Sequence, residues 1–532
     1  MRSRCAVLAS VLLLAVHGCS CASKDWPSHR YSSQRTASQP HKSALSNPAR
    51  VPTLHQLWSW HPRLIGDPDT VWYGYGAYGF SASPVVYRGK VFLAHLNGRL
   101  YALDTSGTFL WKYPPAGSPS LTSATQCNPS SPGIASTPAV AADVGDVPAV
   151  IFGAPDPASN AGDGRLWAVN ANTGALIWRS PVLASRTANE QIGYDSPVIY
   201  GDRVYVGVSN HCDSPIIAGK LYGVDLETGA LLGGFTTFVA SAIRGGGIWS
   251  SPATTADGDV IITTGNGCVP YNGGCTSEPS PDHALSMIRL DGTSGAMIWK
   301  FQPVPWSLDD DPDWAAVPTV HAASCGTMAV APMKDGYTHA LAIGPTSPAG
   351  NPVTLALSLR RWSFPPAAIP FTGGSHGDIR YTRGAAVWKD VVFAVTGGRD
   401  VTASVTAGYR RLYALNSCAS DFERVRWWLQ FSGSGSPTMG APSVTRGIVY
   451  IGTSEDTLYA IADPDIFPAT GSQCDYPGVS ITDCAPNGFR LTPVPAVLAR
   501  VRLSGGIRTT PAIARGRVYV TTNRGFVHAL AP

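Results

Sequence analysis

Hydrophobic and polar positions alternate along this chain with a two-residue period, in short runs broken by Gly, Asn and Asp clusters. That is the pattern of short strands joined by tight turns. One run returns along the chain: an apolar-aromatic strand with a small residue in it, then an acid or amide, then Thr-Gly or Ser-Gly, then a strand closing on Trp. It reads RLYALDTSGTFLW from Arg99 to Trp111, RLWAVNANTGALIW from Arg165 to Trp178, KLYGVDLETGALL from Lys220 to Leu232 and SMIRLDGTSGAMIW from Ser286 to Trp299. Shorter copies stand at Tyr337–Ile343, Arg411–Asn416, Thr457–Asp463 and Phe526–Ala531. The positions equivalent to Ala102 fall at Ala168, Gly223, Arg289, Ala340, Ala414, Ala460 and Ala529. Self-similarity at such a period marks a repeat architecture.

Ahead of the copies lie further strand pairs, such as SASPVVYRGKVFLAHLNG (Ser81–Gly98), YDSPVIYGDRVYVGVSN (Tyr194–Asn210) and GAPSVTRGIVYIGTSEDT (Gly440–Thr457). Each unit therefore holds four short strands, the content of one propeller blade. The last copy stops with no fourth strand after it, while TLHQLWSW (Thr53–Trp60) is a fourth strand with no blade before it. Pairing the two closes the ring and removes its exposed edges. The expectation is an all-β, eight-bladed propeller over residues 45–532, behind an N-terminal segment, 23–44, and a leader, 1–22.

Composition adds a compartment. Only 14% of residues are charged, against about 25% in ordinary domains. The formal charge of +4 is not gathered in any run, which argues against a nucleic-acid partner. Arg2 and Arg4, the apolar stretch Ala6–Val16 and small residues up to Ala22 have the three-part layout of a secretory signal peptide. Cleavage after Ala22 is one reading and lipidation of Cys19 the alternative; no other segment is long enough to span a membrane. Eight cysteines follow the leader, an even number that points to disulfides. Cys268–Cys275 and Cys474–Cys484 are natural local pairs, and the connectivity of the remaining four stays open. No CxxCH motif is present for covalent haem attachment.

The repeated ALD…TG…W motif resembles the repeat of pyrroloquinoline quinone (PQQ)-dependent quinoproteins. The same repeat occurs in cofactor-free propellers, so it speaks to fold and not to chemistry. A sharper likeness lies in GGGIWSSPATTADGDVIITTGNG (Gly245–Gly267), similar to the quinoprotein alcohol dehydrogenase segment in which a Trp stacks on the quinone and an Asn binds calcium. The resemblance assigns these roles to Trp249 and Asn266. WKFQPVPWSLDDDPDWAAVPTV (Trp299–Val320) resembles the acidic stretch that supplies the catalytic Asp, for which Asp309, Asp310, Asp311 and Asp313 compete. MAVAPMKDGYTHALA (Met328–Ala342) resembles the turn whose basic residue contacts the quinone oxygens, here Lys334. The order of these motifs is similar to that of the polyvinyl alcohol dehydrogenase-like branch.

The residue types suit that chemistry. A flat quinone needs an aromatic platform, and calcium takes oxygen ligands and acts as a Lewis acid. An Asp accepts the alcohol proton, and a Lys stabilises charge developing on the quinone. Departures stand beside the likeness. There is no Cys-Cys pair, and the Glu expected to bind calcium is replaced by Asp213. Blade two offers no Arg for a quinone carboxylate; Arg508 and Arg380 are substitutes from other blades. Each assigned residue also has a plain structural reading, as blade packing for Trp249, a turn for Asn266 and a hairpin for Lys334. His211 beside Cys212 reads as an anchored loop, and the Tyr- and Gly-rich run Asp69–Phe80 as rim packing, a lid or a sugar-binding surface. The implied function is an exported PQQ- and calcium-dependent dehydrogenase of an alcohol or polyol that passes electrons to an external acceptor. A non-catalytic scaffold for protein or glycan partners is the alternative.

Overall fold

The computed structural model describes residues 24–68, 72–73, 77–123, 133–159, 162–210, 213, 215–242, 244–267, 283–303, 313–314, 316–334, 337–344, 359–364, 384–396, 411–421, 423–431, 439–467 and 495–532. Among them are eight four-stranded antiparallel sheets and one two-stranded hairpin, Trp72–Tyr73 with Ala77–Tyr78. Blade one is Val85–Tyr87, Lys90–His95, Arg99–Asp104 and Phe109–Tyr113. The first strands of the following blades are Ala139–Val144, Val198–Tyr200, Ala253–Thr254, Thr319–Ala323, Ala386–Trp388, Ser443–Thr445 and Ala512–Ala514. Neighbouring blades meet along these first strands, which line the axis. Blade eight is completed by His55–Trp60, antiparallel to Val527–Ala531, with Trp58 opposite Ala529. The N-terminal strand closes the ring.

The repeated motif has a direct physical reading. In most blades the small residue of the third strand lies opposite a Trp on the fourth: Ala102 faces Trp111, Ala168 faces Trp178, Ala340 faces Trp362 and Ala414 faces Trp427. Immediately after the small residue the register slips by a bulge, in blade after blade. The bulge twists the outer strand and aims its Trp at the next blade. There the Trp covers the glycine of that blade's Thr-Gly or Ser-Gly turn. A β-carbon on Gly229, at φ +72°, would fall 2.5 Å from Trp178 Cε3, and one on Gly174 would fall 2.6 Å from Trp111 Cε3. The indole N–H completes the lock, from Trp178 to Leu226 O at 2.9 Å and from Trp58 to Thr105 O at 3.0 Å. Three blades vary the theme. In blade seven Ala460 faces Ala499. Blade three has no Trp, and Leu232 and Phe235 crowd against Gly223 instead. In blade four Arg289 faces Trp299, its charge met by Asp259 at 2.6 Å.

A second device links blades near the axis. Ser83-Pro84, Thr137-Pro138, Ser196-Pro197, Ser251-Pro252 and Thr510-Pro511 each stand just before a first strand. The backbone N–H of Ser83 donates to Thr137 Oγ1, that of Thr137 to Ser196 Oγ, that of Ser196 to Ser251 Oγ, and that of Thr510 to Ser83 Oγ. A belt of hydroxyls thus runs from blade eight through blade four. A disulfide, Cys325–Cys418, joins blades five and six at the opposite end of the strands. The local pairs Cys268–Cys275 and Cys474–Cys484 lie outside the described residues, as do Cys127 and Cys212.

Residues 24–39 occupy the axis itself. The N–H groups of Val86, Val140, Thr254, Val320, Val387 and Val444 donate to the carbonyls of Trp26, Pro27, Ser33, Gln34, Thr36 and Ala37 at 2.8–3.0 Å. Each of those donors is the second residue of its first strand. Arg35 reaches Ser196 O and Pro197 O in blade three, and Gln39 Nε2 reaches Ile513 O in blade eight. One segment therefore bonds to every blade at a single level.

Candidate active site

In each blade the loop before the first strand and the loop between the second and third strands emerge at the same end, because consecutive strands run antiparallel. Trp249 and Asp313 precede the first strands of blades four and five. Asp213, Asn266 and Lys334 follow the second strands of blades three, four and five. Topology alone therefore puts all five on one face, across three adjacent blades.

Side-chain contacts sort these residues into two groups. Trp249 Nε1 donates to Asp313 Oδ2 at 2.9 Å. Lys334 Nζ lies 2.5 Å from Asp313 Oδ1, and 5.1 Å above the centre of the Trp249 ring. The Lys334 backbone N–H also donates to Asp313 O at 3.2 Å. Both charged groups are buried, Asp313 with 2% and Lys334 with 8% of its surface exposed, while Trp249 is partly open. At low local dielectric such an ion pair is strong, and its geometry is well defined. In the second group Asn266 Nδ2 donates to Asp213 Oδ2 at 3.0 Å. Asp309, Asp310 and Asp311 lie outside the described residues.

Local sequence explains the placement. Gly245–Gly247 runs beside Gly265–Gly267, with Gly265 N–H donating to Gly247 O and Gly246 N–H to Asn266 O, both at 2.8 Å. Glycine is required here for close approach: a β-carbon on Gly219 would sit 1.9 Å from Gly246 O. This tight ribbon brings the indole of Trp249 against Gly265, the residue before Asn266, so the two groups are neighbours. Asp313 is fixed by its successor Trp314, which is fully buried against His339 at 5.5 Å between ring centres. Met333 N–H donates to Tyr337 O at 2.8 Å and closes the turn that carries Lys334. Arg508 stands four residues before the first strand of blade eight, the same offset as Trp249 in blade four. Arg380 and His211 lie outside the described residues, and the Tyr-rich run contributes the hairpin noted above.

The donors present suit a hard cation in kind. An amide and a carboxylate meet at Asn266 and Asp213, and each carries an oxygen that can serve a cation. Among the described residues no group of three or more His, Cys, Asp or Glu side chains is gathered so as to hold a metal ion. A flat aromatic ligand also finds a platform in Trp249, on whichever indole face Lys334 leaves open.

Sequence reasoning missed the axial segment and its two buried arginines, Arg30 and Arg35, and also Asp195, buried beside Arg35. Burial pushes the Asp195 carboxyl up to about 7, against the opposing pull of the Gly207 N–H and of Arg35. The recurring Ser/Thr-Pro pair was a usable signal for the belt. No comparable signal announced the axial segment.

Comparison with known proteins agrees with this architecture. A family model described as PQQ_2, outer membrane protein assembly factor BamB, matches residues 56–278. Quinoprotein glucose dehydrogenase A of Acinetobacter calcoaceticus is 28% identical over 173 residues, 28% of this chain. The match spans 22% of that relative's length. Among solved structures, quinohaemoprotein alcohol dehydrogenase from Comamonas testosteroni superposes with a TM-score of 0.61 at 16% identity, covering 96% of this chain and 81% of that one. A europium-containing methanol dehydrogenase gives 0.60 at 15% identity, covering 96% and 98%. BamB from Moraxella catarrhalis gives 0.51 at 14% identity, covering 90% and 100%. At these identities the structural likenesses show the fold alone: the chain is an eight-bladed propeller like those of these proteins, and residues 56–278 match the PQQ_2 model.

Proposed function

We propose that this protein is an exported dehydrogenase that oxidises an alcohol or polyol with PQQ and calcium and passes the electrons to a separate acceptor. The observation that carries the reading is the contact cluster of Trp249, Asp313 and Lys334, three residues from separate segments that meet at the same face as Asn266 and Asp213. PQQ, when bound, supplies the two-electron oxidant, and calcium the Lewis acid. Trp249 gives the quinone its platform, and Asn266 and Asp213 give calcium its oxygens. Asp313 accepts the hydroxyl proton of the substrate at a carboxylate oxygen. That carboxylate keeps one orientation because the indole N–H holds Oδ2 and the Lys334 ammonium faces Oδ1. Lys334 lies within reach of both the platform and the base, so it can stabilise negative charge on the ligand side while steering Asp313. The belonging to the polyvinyl alcohol dehydrogenase-like branch and export through the N-terminal leader are parts of the same proposal.

The test is a thermal melt of the protein with PQQ and calcium, separately and together. A ligand that binds only the folded state at one hundred times its Kd adds about 2.7 kcal/mol. A rise that needs both ligands, followed by dye-linked alcohol oxidation, is the expected result. No shift with either ligand or both overturns the reading in favour of a non-catalytic scaffold.

A further inference from the structure

Arg30 and Arg35 lie on the propeller axis with no exposed surface. Arg35 Nε donates to Pro252 O at 2.8 Å, Nη1 to His29 O at 2.9 Å, and Nη2 to Ser196 O and Pro197 O, each at 3.0 Å. Arg30 Nη2 donates to Ala385 O, Nε to Arg35 O at 3.3 Å, and Nη1 reaches Thr510 Oγ1 at 3.5 Å. Every acceptor is neutral, and neither arginine forms a salt bridge among the described residues. Burying a cation with only neutral partners is costly. So is the backbone that holds them: Arg30, Tyr31, Arg35 and Ala37 all have φ between +49° and +79°. Each such residue costs roughly 1–2 kcal/mol, and strain of this kind concentrates where a site depends on it.

The position of the two charges gives them a purpose. Pro197, Pro252 and Ala385 directly precede first strands, on the end that carries the candidate site. Pro252 is three residues beyond Trp249, at most about 10 Å away even if that stretch were fully extended. Through Pro252, Arg35 is tied to the stretch that carries Trp249, and Arg30, which donates to Arg35 O, Ala385 O and Thr510 Oγ1, lies next to it towards blades six and eight. The acidic groups around them do not cancel this charge. Asp313 is taken up by Lys334, and Asp195, the carboxylate that faces Arg35, accepts the Gly207 N–H and is pushed towards neutrality by burial; Asp213 keeps its charge but bonds to Asn266 and has no contact with either arginine among those described.

We infer that Arg30 and Arg35 make an electropositive floor that selects a flat polyanion for this site, acting on charge through space and not by direct contact. The inference deepens the proposed function, since PQQ carries three carboxylates and the segment Pro129–Val140 at blade two holds no basic residue to meet them. Two unit charges about 10 Å apart at an effective dielectric of about 20 interact strongly enough to change affinity about tenfold.

Isothermal titration of the calcium-loaded protein with PQQ and with its uncharged trimethyl ester reads the effect. The wild type is expected to favour the acid over the ester by at least about tenfold per arginine. Arg30→Gln should narrow that ratio about tenfold, while Arg30→Lys, which keeps the charge but loses the fork, should preserve it. An equal affinity for acid and ester in the wild type overturns the floor and leaves the cofactor reading standing; this arm needs no variant to fold. A fall in affinity for both ligands alike in Arg30→Gln also overturns it, because a purely structural arginine would act that way. Benzenehexacarboxylate, a flat polyanion that is not a quinone, separates the two ideas. If it binds where PQQ does not, the floor stands and the cofactor falls; if neither binds, the floor falls as well.

Discussion

The lock between blades can be measured at one contact, Trp178 on Gly229. The indole covers the glycine, its N–H donates to Leu226 O at 2.9 Å, and only 8% of its surface is exposed. Trp178→Ala removes the packing, leaves a cavity and strands a buried carbonyl, at a cost of about 3–5 kcal/mol. Gly229→Ala meets two penalties. The backbone at φ +72° adds about 1–2 kcal/mol. The new methyl, 2.5 Å from Cε3, adds about 1–3 kcal/mol of overpacking. In the double variant the indole is gone, so the second penalty vanishes and only the backbone cost remains. The double variant should therefore be more stable than the sum of the singles predicts, by about 1–3 kcal/mol. Urea unfolding followed by far-ultraviolet circular dichroism measures all four corners of the cycle. Strict additivity would refute the lock and leave Trp178 as an ordinary hydrophobic residue.

Three other outcomes follow from the structure. Replacing both Cys325 and Cys418 by Ser opens a crosslink between residues 93 apart in sequence; the chain-entropy estimate is about 4–5 kcal/mol, a fall of roughly 4–5 °C in Tm for a chain of this size. Single replacement should expose one maleimide-reactive thiol, and its absence would contradict the pairing. Burial lowers the pKa of His321 to about 4, with Asp390 opposing, so between about pH 6.5 and 4 the unfolded chain binds a proton that the native state does not. Its contribution is full above 6.5 and is lost on acidification, worth up to about 3 kcal/mol. His321→Gln should flatten that part of the stability profile while His528 and Asp195, common to both proteins, cancel in the difference; parallel profiles would refute the assignment. Asp313→Asn keeps the shape but removes the base, and turnover in a dye-linked assay should fall by about 10²–10⁴, with PQQ affinity read separately by titration; unchanged turnover would move the base elsewhere.

The architecture was legible because its signal is carried by side chains at a fixed period. A small residue opposite Trp, an Asp or Asn capping the turn and a glycine under the neighbouring indole each leave a letter in the sequence. Ring closure was legible for the same reason, as Trp58 and Ala529 are halves of one motif placed at opposite ends. Trp249 and Lys334 could be singled out because their surroundings resemble a family. The resemblance left four acids in competition, and the described part of the structure brings Asp313 to both. The disulfide was not legible: which cysteine meets Cys325 depends on how two blades sit, not on spacing. Nor was residues' 24–39 place on the axis. Its bonds to the blades are made mostly by backbone carbonyls, which every residue has, so no periodicity records them. Arg30 and Arg35 read as surface charges until the segment is seen buried.

The axial segment also sets the order in which this protein can be assembled. Lys24–Gln39 has partners in all eight blades, and its last ones, Ile513 and Arg515, are made almost five hundred residues later. His55–Trp60 waits as long for Val527–Ala531. During synthesis this early segment has nothing complete to bind, and blades one to seven can form around an empty centre. Contacts of such long range make folding slow and leave intermediates exposed. A chain held unfolded until its last strand is present would escape that hazard. A segment that emerges early is the last to settle.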